Sequence, residues 1–159
     1  MNKLMLSVLS LGLLFLVSSF TEPPKKDKPT KEINWVTIEE AQELSKENPK
    51  KVIMDVYTDW CGWCKKMDKT TFADEKVVDY VNENFYAVKF DAEANKTFEF
   101  KGQEFTNPQF TKALRVSGYP TVVFFAEDFS KFQPVSGYRQ ADEFLKMLES
   151  FNQAEPAGK

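Results

Sequence analysis

Histidine is missing from all 159 residues, and that absence removes whole branches of chemistry. Neither a Ser-His-Asp nor a Cys-His hydrolase can be built, nor a metal centre that rests on imidazole. Thiols, carboxylates and amines remain. Cysteine is scarce too: two residues can neither form a disulfide framework nor complete a four-thiolate zinc site within one chain. Charge of one sign is also lacking, since 24 Asp and Glu stand against 21 Lys and Arg for a formal net charge of −3. Such a surface has no general attraction for phosphate backbones, so nucleic acid is not an expected partner. Apolar residues are plentiful. At 42% hydrophobic and 14% aromatic, a chain of this length supplies one packed core.

One uninterrupted apolar stretch exists, at residues 4–17 behind Lys3, with 11 of 14 positions apolar and none charged. As a helix it would reach about 21 Å, short of a hydrocarbon core of about 30 Å. It reads as the apolar region of a secretory signal. Val17 and Ser19 suit a cut that leaves Phe20 first, and retention as a short membrane anchor is the other reading. Residues 21–31, rich in Pro and Lys, read as a solvated linker. The expected plan is a signal peptide at 1–19, a linker at 20–32, a domain at 33–152 and a flexible tail at 153–159.

Within the domain, Thr37 and Glu40 have capping-box spacing, predicting a helix over 38–48 that Pro49 stops. Residues 52–57 (VIMDVY) read as a buried strand broken by one acid, Asp55. Helical pieces are expected at 61–70 and 74–84, with a strand at 86–91. Asn107 and Pro108 suit the N-cap and first position of a helix to about Leu114. Residues 121–125 and 132–136 read as strands and 141–151 as a closing helix. Between them, Phe98 and Phe100 alternate with polar residues and Lys101-Gly102 could turn the chain back toward Phe105, which predicts a hairpin. That hairpin either covers one edge of the active-site face or is a packed decoration. The order implies an α/β fold with a mixed sheet covered by helices on both faces.

Cys61-Gly62-Trp63-Cys64 follows the buried strand where a helix should begin. A disulfide closing so short a loop restrains the unfolded chain little, so reactivity explains it better than stability. Cys61 at the helix start faces unpaired N–H groups and the positive end of the dipole, which favour thiolate and mark it as the nucleophile. Cys64, one turn in, is the expected resolving thiol. An inert bridge, or half of a metal site shared between chains, is the bland alternative. Asp55 is costly to bury, and desolvation would raise its pKa enough to exchange a proton with Cys64. Its bland alternative is a polar group bonded to backbone. Lys89, on the next strand, either pairs with Asp55 or faces solvent.

The run DVYTDWCGWCKKM resembles the active-site segment of the thioredoxin superfamily, with Asp55, Trp60, Cys61, Gly62, Cys64 and Lys65 at matching positions. Extended to DVYTDWCGWCKKMDKTTFADEKV, it is most similar to small exported thioredoxin-like proteins. It also resembles the periplasmic C-terminal domain of membrane thiol:disulfide interchange reductases. The resemblance implies a thioredoxin fold with Pro120 cis and facing the cysteines, and Tyr119 offering its backbone to an extended client. It further implies that Trp60 packs beside the motif and that Gly137 admits close approach of a partner's backbone. Trp63 replaces the proline of ordinary thioredoxin and is read as a ring that contacts partners.

The function expected is an exported, periplasmic thiol-disulfide oxidoreductase, a protein-disulfide reductase or electron relay, with no cofactor and no metal. Its partners would be protein dithiol or disulfide clients and a redox partner such as a membrane thiol reductase. The absence of histidine from the motif leans away from a dedicated oxidant. A non-catalytic thioredoxin-fold binding module is the alternative, and a peroxidase-like scavenger a weaker third, lacking the Arg and Thr arrangement that peroxidatic cysteines use.

Overall fold

The computed structural model describes residues 31–154. The expected signal segment, all of the expected linker before Lys31 and most of the expected tail lie outside those residues. Numbered in chain order, the strands are β1 (Trp35–Val36), β2 (Lys51–Tyr57), β3 (Phe85–Asp91), β4 (Thr97–Phe100), β5 (Gln103–Thr106), β6 (Thr121–Phe125) and β7 (Phe132–Ser136). The helices are α1 (Ile38–Glu47), α2 (Gly62–Lys69), α3 (Glu75–Asn84), α4 (Asn107–Ala113) and α5 (Ala141–Gln153). Among the described residues no helix is long and apolar enough to cross a membrane.

Five strands form one sheet in the order β1-β3-β2-β6-β7, in which β1, β3 and β2 run parallel while β6 and β7 are antiparallel to their neighbours. The mixed α/β sheet expected from sequence is therefore present. β2 lies at its centre and is covered on both faces, which explains its nearly continuous apolar run. Val52, Met54 and Val56 point into one core with Ile38 and Ala41 of α1, Phe90 and Phe110. Ile53 points into the other, against Met67 of α2, Val77, Val78 and Val81 of α3, and Phe144 and Leu148 of α5. By the period-two rule Asp55 shares the face of Ile53, beneath α2.

The capping box of Thr37 and Glu40 forms as read, the Thr37 hydroxyl accepting from the Glu40 N–H and the Glu40 carboxylate from the Thr37 N–H. At α4 the expected cap is displaced by one residue. Thr106, not Asn107, is the N-cap, because Thr106 and Gln109 form a second capping box. That frees the Asn107 amide to donate to the Asp91 carbonyl at 2.7 Å. β1 was not anticipated, since two residues are too few to show a period. Lys51, at the start of β2, donates to the carbonyls of Phe151, Asn152 and Ala154 at the end of α5. A cation there meets the negative end of the helix dipole.

The hairpin of β4 and β5 forms with the expected turn, Lys101 and Gly102 both at positive φ. It packs on the α1 side of the sheet, with Phe98 in the core beside Ile38 and Ala41 and the Gln42 side chain donating to the Glu99 carbonyl. Lys101 donates to the carbonyl of Asp128, in the β6–β7 turn at the end of β6 remote from the cysteines. Phe110 of α4 anchors it, its ring lying 5.1, 4.8 and 5.3 Å from Phe98, Phe100 and Phe105. Replacing Phe110 with Ala should destabilise the domain by about 3–5 kcal/mol, read as a lowered denaturant midpoint in guanidinium unfolding.

Candidate functional site

β2 ends at Tyr57, a short turn brings the Cys61 N–H to the Thr58 carbonyl at 3.1 Å, and α2 begins at Gly62. Cys61 is thus the N-cap of α2. Its Sγ accepts the Cys64 N–H at 3.0 Å, so sulfur takes the place of the oxygen that usually caps a helix. Cys61 and Cys64 are joined in a disulfide. Burial hardly distinguishes the two, with Cys61 4% and Cys64 2% exposed. What separates the two sulfurs is position, one at the positive mouth of the helix and the other within its first turn.

Asp55 and Lys89 are direct partners in the β2–β3 register. The Lys89 ammonium donates to Asp55 Oδ2 at 2.6 Å and also to Asp68 of α2. Three rings surround that ammonium, with the centroids of Trp35 and Tyr57 at 5.0 Å and that of Phe72 at 5.3 Å. Lys89 therefore pairs with Asp55 rather than facing solvent. Among the described residues the Asp55 carboxylate bonds to Lys89 and to no backbone group, and its Oδ1 is buried without a partner. Burial pushes the Asp55 carboxyl up to about 6, against the opposing pull of Lys89. At Lys89 burial works downward, yet the two carboxylates outweigh it and the ammonium is raised. Burial decides the shift at Asp55 and ion pairing the shift at Lys89 because one has a single cationic partner and the other two anionic ones.

The Tyr119-Pro120 bond is cis, and Pro120 leads into β6, the antiparallel neighbour of β2. The Pro120 carbonyl accepts the Gly137 N–H at 2.8 Å. Gly137 has φ +95, a left-handed conformation that favours glycine, whereas a Cβ there would come 3.1 Å only from the mobile end of the Arg139 side chain. A Cβ at Gly62 would meet nothing within 4 Å, so no contact inside the chain demands glycine there. Trp60 is 67% exposed and meets Tyr119 edge-to-face at 5.9 Å. Trp63, 57% exposed, lies 5.4 Å from Tyr138.

Four neighbours of this site escaped the sequence reading. Asp68 follows Cys64 by four residues, on the same helical face, and that spacing was available as a signal. Glu93 accepts the Trp60 indole N–H at 2.9 Å, across a sequence distance that no local pattern spans. Tyr138 shares Lys66 with Trp63, the ammonium 4.7 Å from the Trp63 centroid and 5.0 Å from that of Tyr138. Thr58 is buried, with its hydroxyl unpartnered.

A disulfide at the mouth of a helix, a buried carboxylate under that helix and a cis-proline leading into the adjoining strand define a thioredoxin-like domain of the disulfide-oxidoreductase type. The chain belongs to the thioredoxin-like domain family, which it matches over residues 38–152. The thiol:disulfide interchange protein DsbD of Actinobacillus pleuropneumoniae is 32% identical over 115 residues, covering 70% of this chain and 18% of that protein. Its counterpart in Campylobacter jejuni is 28% identical over 112 residues, with the same two shares. The chain spans less than a fifth of the length of these curated relatives. Among solved structures, the oxidised C-terminal domain of Neisseria meningitidis DsbD is similar with a TM-score of 0.55 at 27% identity. That match covers 70% of this chain and 90% of the other. A putative disulphide-isomerase from Bacteroides thetaiotaomicron reaches 0.61 at 27% identity, over 80% of this chain and 99% of the other.

The Asp55 shift sets a stability profile. Well below pH 4 the carboxyl is protonated in both folded and unfolded chains. Between about 4, the ordinary value, and 6 the unfolded chain loses this proton first, so the folded state binds more protons and stability falls as pH rises. The loss from this group amounts to about 2–3 kcal/mol by pH 7. Urea unfolding of the oxidised protein at a series of pH values from 4 to 7 should show it, and Asp55→Asn should remove that slope.

Proposed function

We propose that this chain is an exported thiol-disulfide oxidoreductase that reduces protein disulfides or relays electrons between dithiols. The observation that carries this reading is the Cys61–Cys64 disulfide at the start of α2, with the Cys64 amide directed at the Cys61 sulfur. The names of the relatives, which are thiol:disulfide interchange proteins, support it. Export rests on the apolar stretch at residues 4–17 behind Lys3.

In the reduced protein the Cys61 thiolate attacks one sulfur of a client disulfide, and the second client sulfur leaves as a thiolate. A mixed disulfide between Cys61 and the client results. Cys64 then loses its proton to Asp55 and attacks the Cys61 sulfur, which closes the internal disulfide and releases the client as a dithiol. Two electrons have passed to the client. Asp55 suits this step because a carboxyl raised to about 6 is mostly ionised at pH 7 yet more basic than a surface aspartate. Tyr119 at the cis-proline supplies backbone for the client chain, and Trp60 and Trp63 flank it. Another dithiol, such as that of a membrane reductase, returns the protein to its reduced form.

Replacing Cys64 with Ser should leave the attack intact and remove the release, so that clients accumulate as mixed disulfides at Cys61 on non-reducing gels. Absence of any such adduct from the reduced variant mixed with disulfide-bonded proteins contradicts the mechanism. Asp55→Asn should slow release of the mixed disulfide on the order of a hundredfold, with little effect on its formation. Stopped-flow resolution of the two phases checks this.

A further inference from the structure

The two exposed tryptophans beside the dithiol are held by charges of opposite sign. The Trp60 indole N–H is bound by the Glu93 carboxylate at 2.9 Å, while the ring of Trp63 carries the Lys66 ammonium on its face at 4.7 Å. Neither arrangement is isolated. On the Trp60 side, Asp91 accepts the Glu93 backbone N–H at 3.0 Å, and burial together with the charges of Glu93 and Asp91 raises the Tyr119 hydroxyl. Two carboxylates therefore lie close to the tyrosine that precedes the cis-proline. On the Trp63 side, Lys66 also covers the ring of Tyr138, and Lys65 and Lys69 share its helix. Glu93, Lys65, Lys66 and Lys69 are exposed, so these charges face the solvent from which a client arrives.

We propose that the client-binding face is electrically polarised across the dithiol and selects segments whose reacting cysteine has a basic side chain on one flank and an acidic one on the other. This inference deepens the oxidoreductase reading and rests on it. The Trp60 side, carrying Glu93 and Asp91, receives the basic flank, and the Trp63 side, carrying Lys66, receives the acidic flank. A chain crossing Tyr119 then docks in one direction only, because the reversed chain brings like charges together on both sides. Net charge plays no part in the selection. A client of zero net charge is still read by the order of its charges.

Two peptides of identical composition isolate this property, one with Lys before and Glu after its single cysteine and the other with the two exchanged. Each cysteine is carried as a mixed disulfide with thiopyridine. When the Cys61 thiolate of the reduced protein attacks the peptide sulfur, a protein–peptide disulfide forms and thiopyridone leaves, which is read by absorbance. The uncharged reagent 4,4′-dithiodipyridine is run in parallel to establish that the dithiol reacts. The account predicts that the two peptides differ in rate by about threefold or more at low salt, the scale of two exposed charge pairs. That ratio should shrink as salt rises, and should approach one in the double variant Glu93→Gln, Lys66→Gln, in which glutamine still accepts the Trp60 N–H. Equal rates for the two peptides, with brisk reaction of dithiodipyridine, overturn the polarity and leave the oxidoreductase reading in place. Failure of dithiodipyridine to react overturns that reading and this one together.

Discussion

An α-helix begins with N–H groups that have no partner inside the helix. In this protein one of them, from Cys64, is satisfied by the sulfur of Cys61. The rest of the site depends on that bond. It requires α2 to start one residue after Cys61, and the start of α2 is set by the strand before it. β2 lies in the centre of the sheet with parallel β3 on one side and antiparallel β6 on the other, so its end and the turn through Thr58 have little freedom.

A second constraint holds α2 down. Lys89 of β3 reaches Asp55 on β2 and Asp68 on α2, so one ammonium joins two strands to the helix that bears both cysteines. Burying an ion pair is usually close to neutral for stability, because desolvation offsets attraction. Here Asp68 is 41% and the Lys89 side chain 23% exposed, so part of the cluster keeps its contact with water, while the rings of Trp35, Tyr57 and Phe72 surround the ammonium. The value of the arrangement lies in position and proton affinity. It leaves a carboxyl with a raised pKa and one unpartnered oxygen beneath the helix of the dithiol.

Much of this was written in local sequence. The short apolar run at residues 52–57 marked the central strand, Thr37 with Glu40 the start of α1, and Lys101-Gly102 between phenylalanines the hairpin. CGWC after a buried strand gave the dithiol, and an acid in an apolar run gave Asp55. The less visible parts share a cause. β1 is two residues long and exists because β3 offers it an edge. The α4 cap lies at Thr106, which forms a capping box with Gln109, while the Asn107 side chain bonds the distant Asp91 carbonyl instead of capping the helix. Glu93 reaches Trp60 across 33 residues, a contact that only the folded topology creates. Asp68 is the exception, since its four-residue spacing from Cys64 could have been seen.

The central claim is that the start of α2 makes the two sulfurs chemically unequal. Treating the reduced protein with less than one equivalent of iodoacetamide, followed by peptide mapping by mass spectrometry, measures this directly. The account predicts that the carbamidomethyl group appears on Cys61, with Cys64 almost unmodified. Equal labelling of the two, or preference for Cys64, would contradict it.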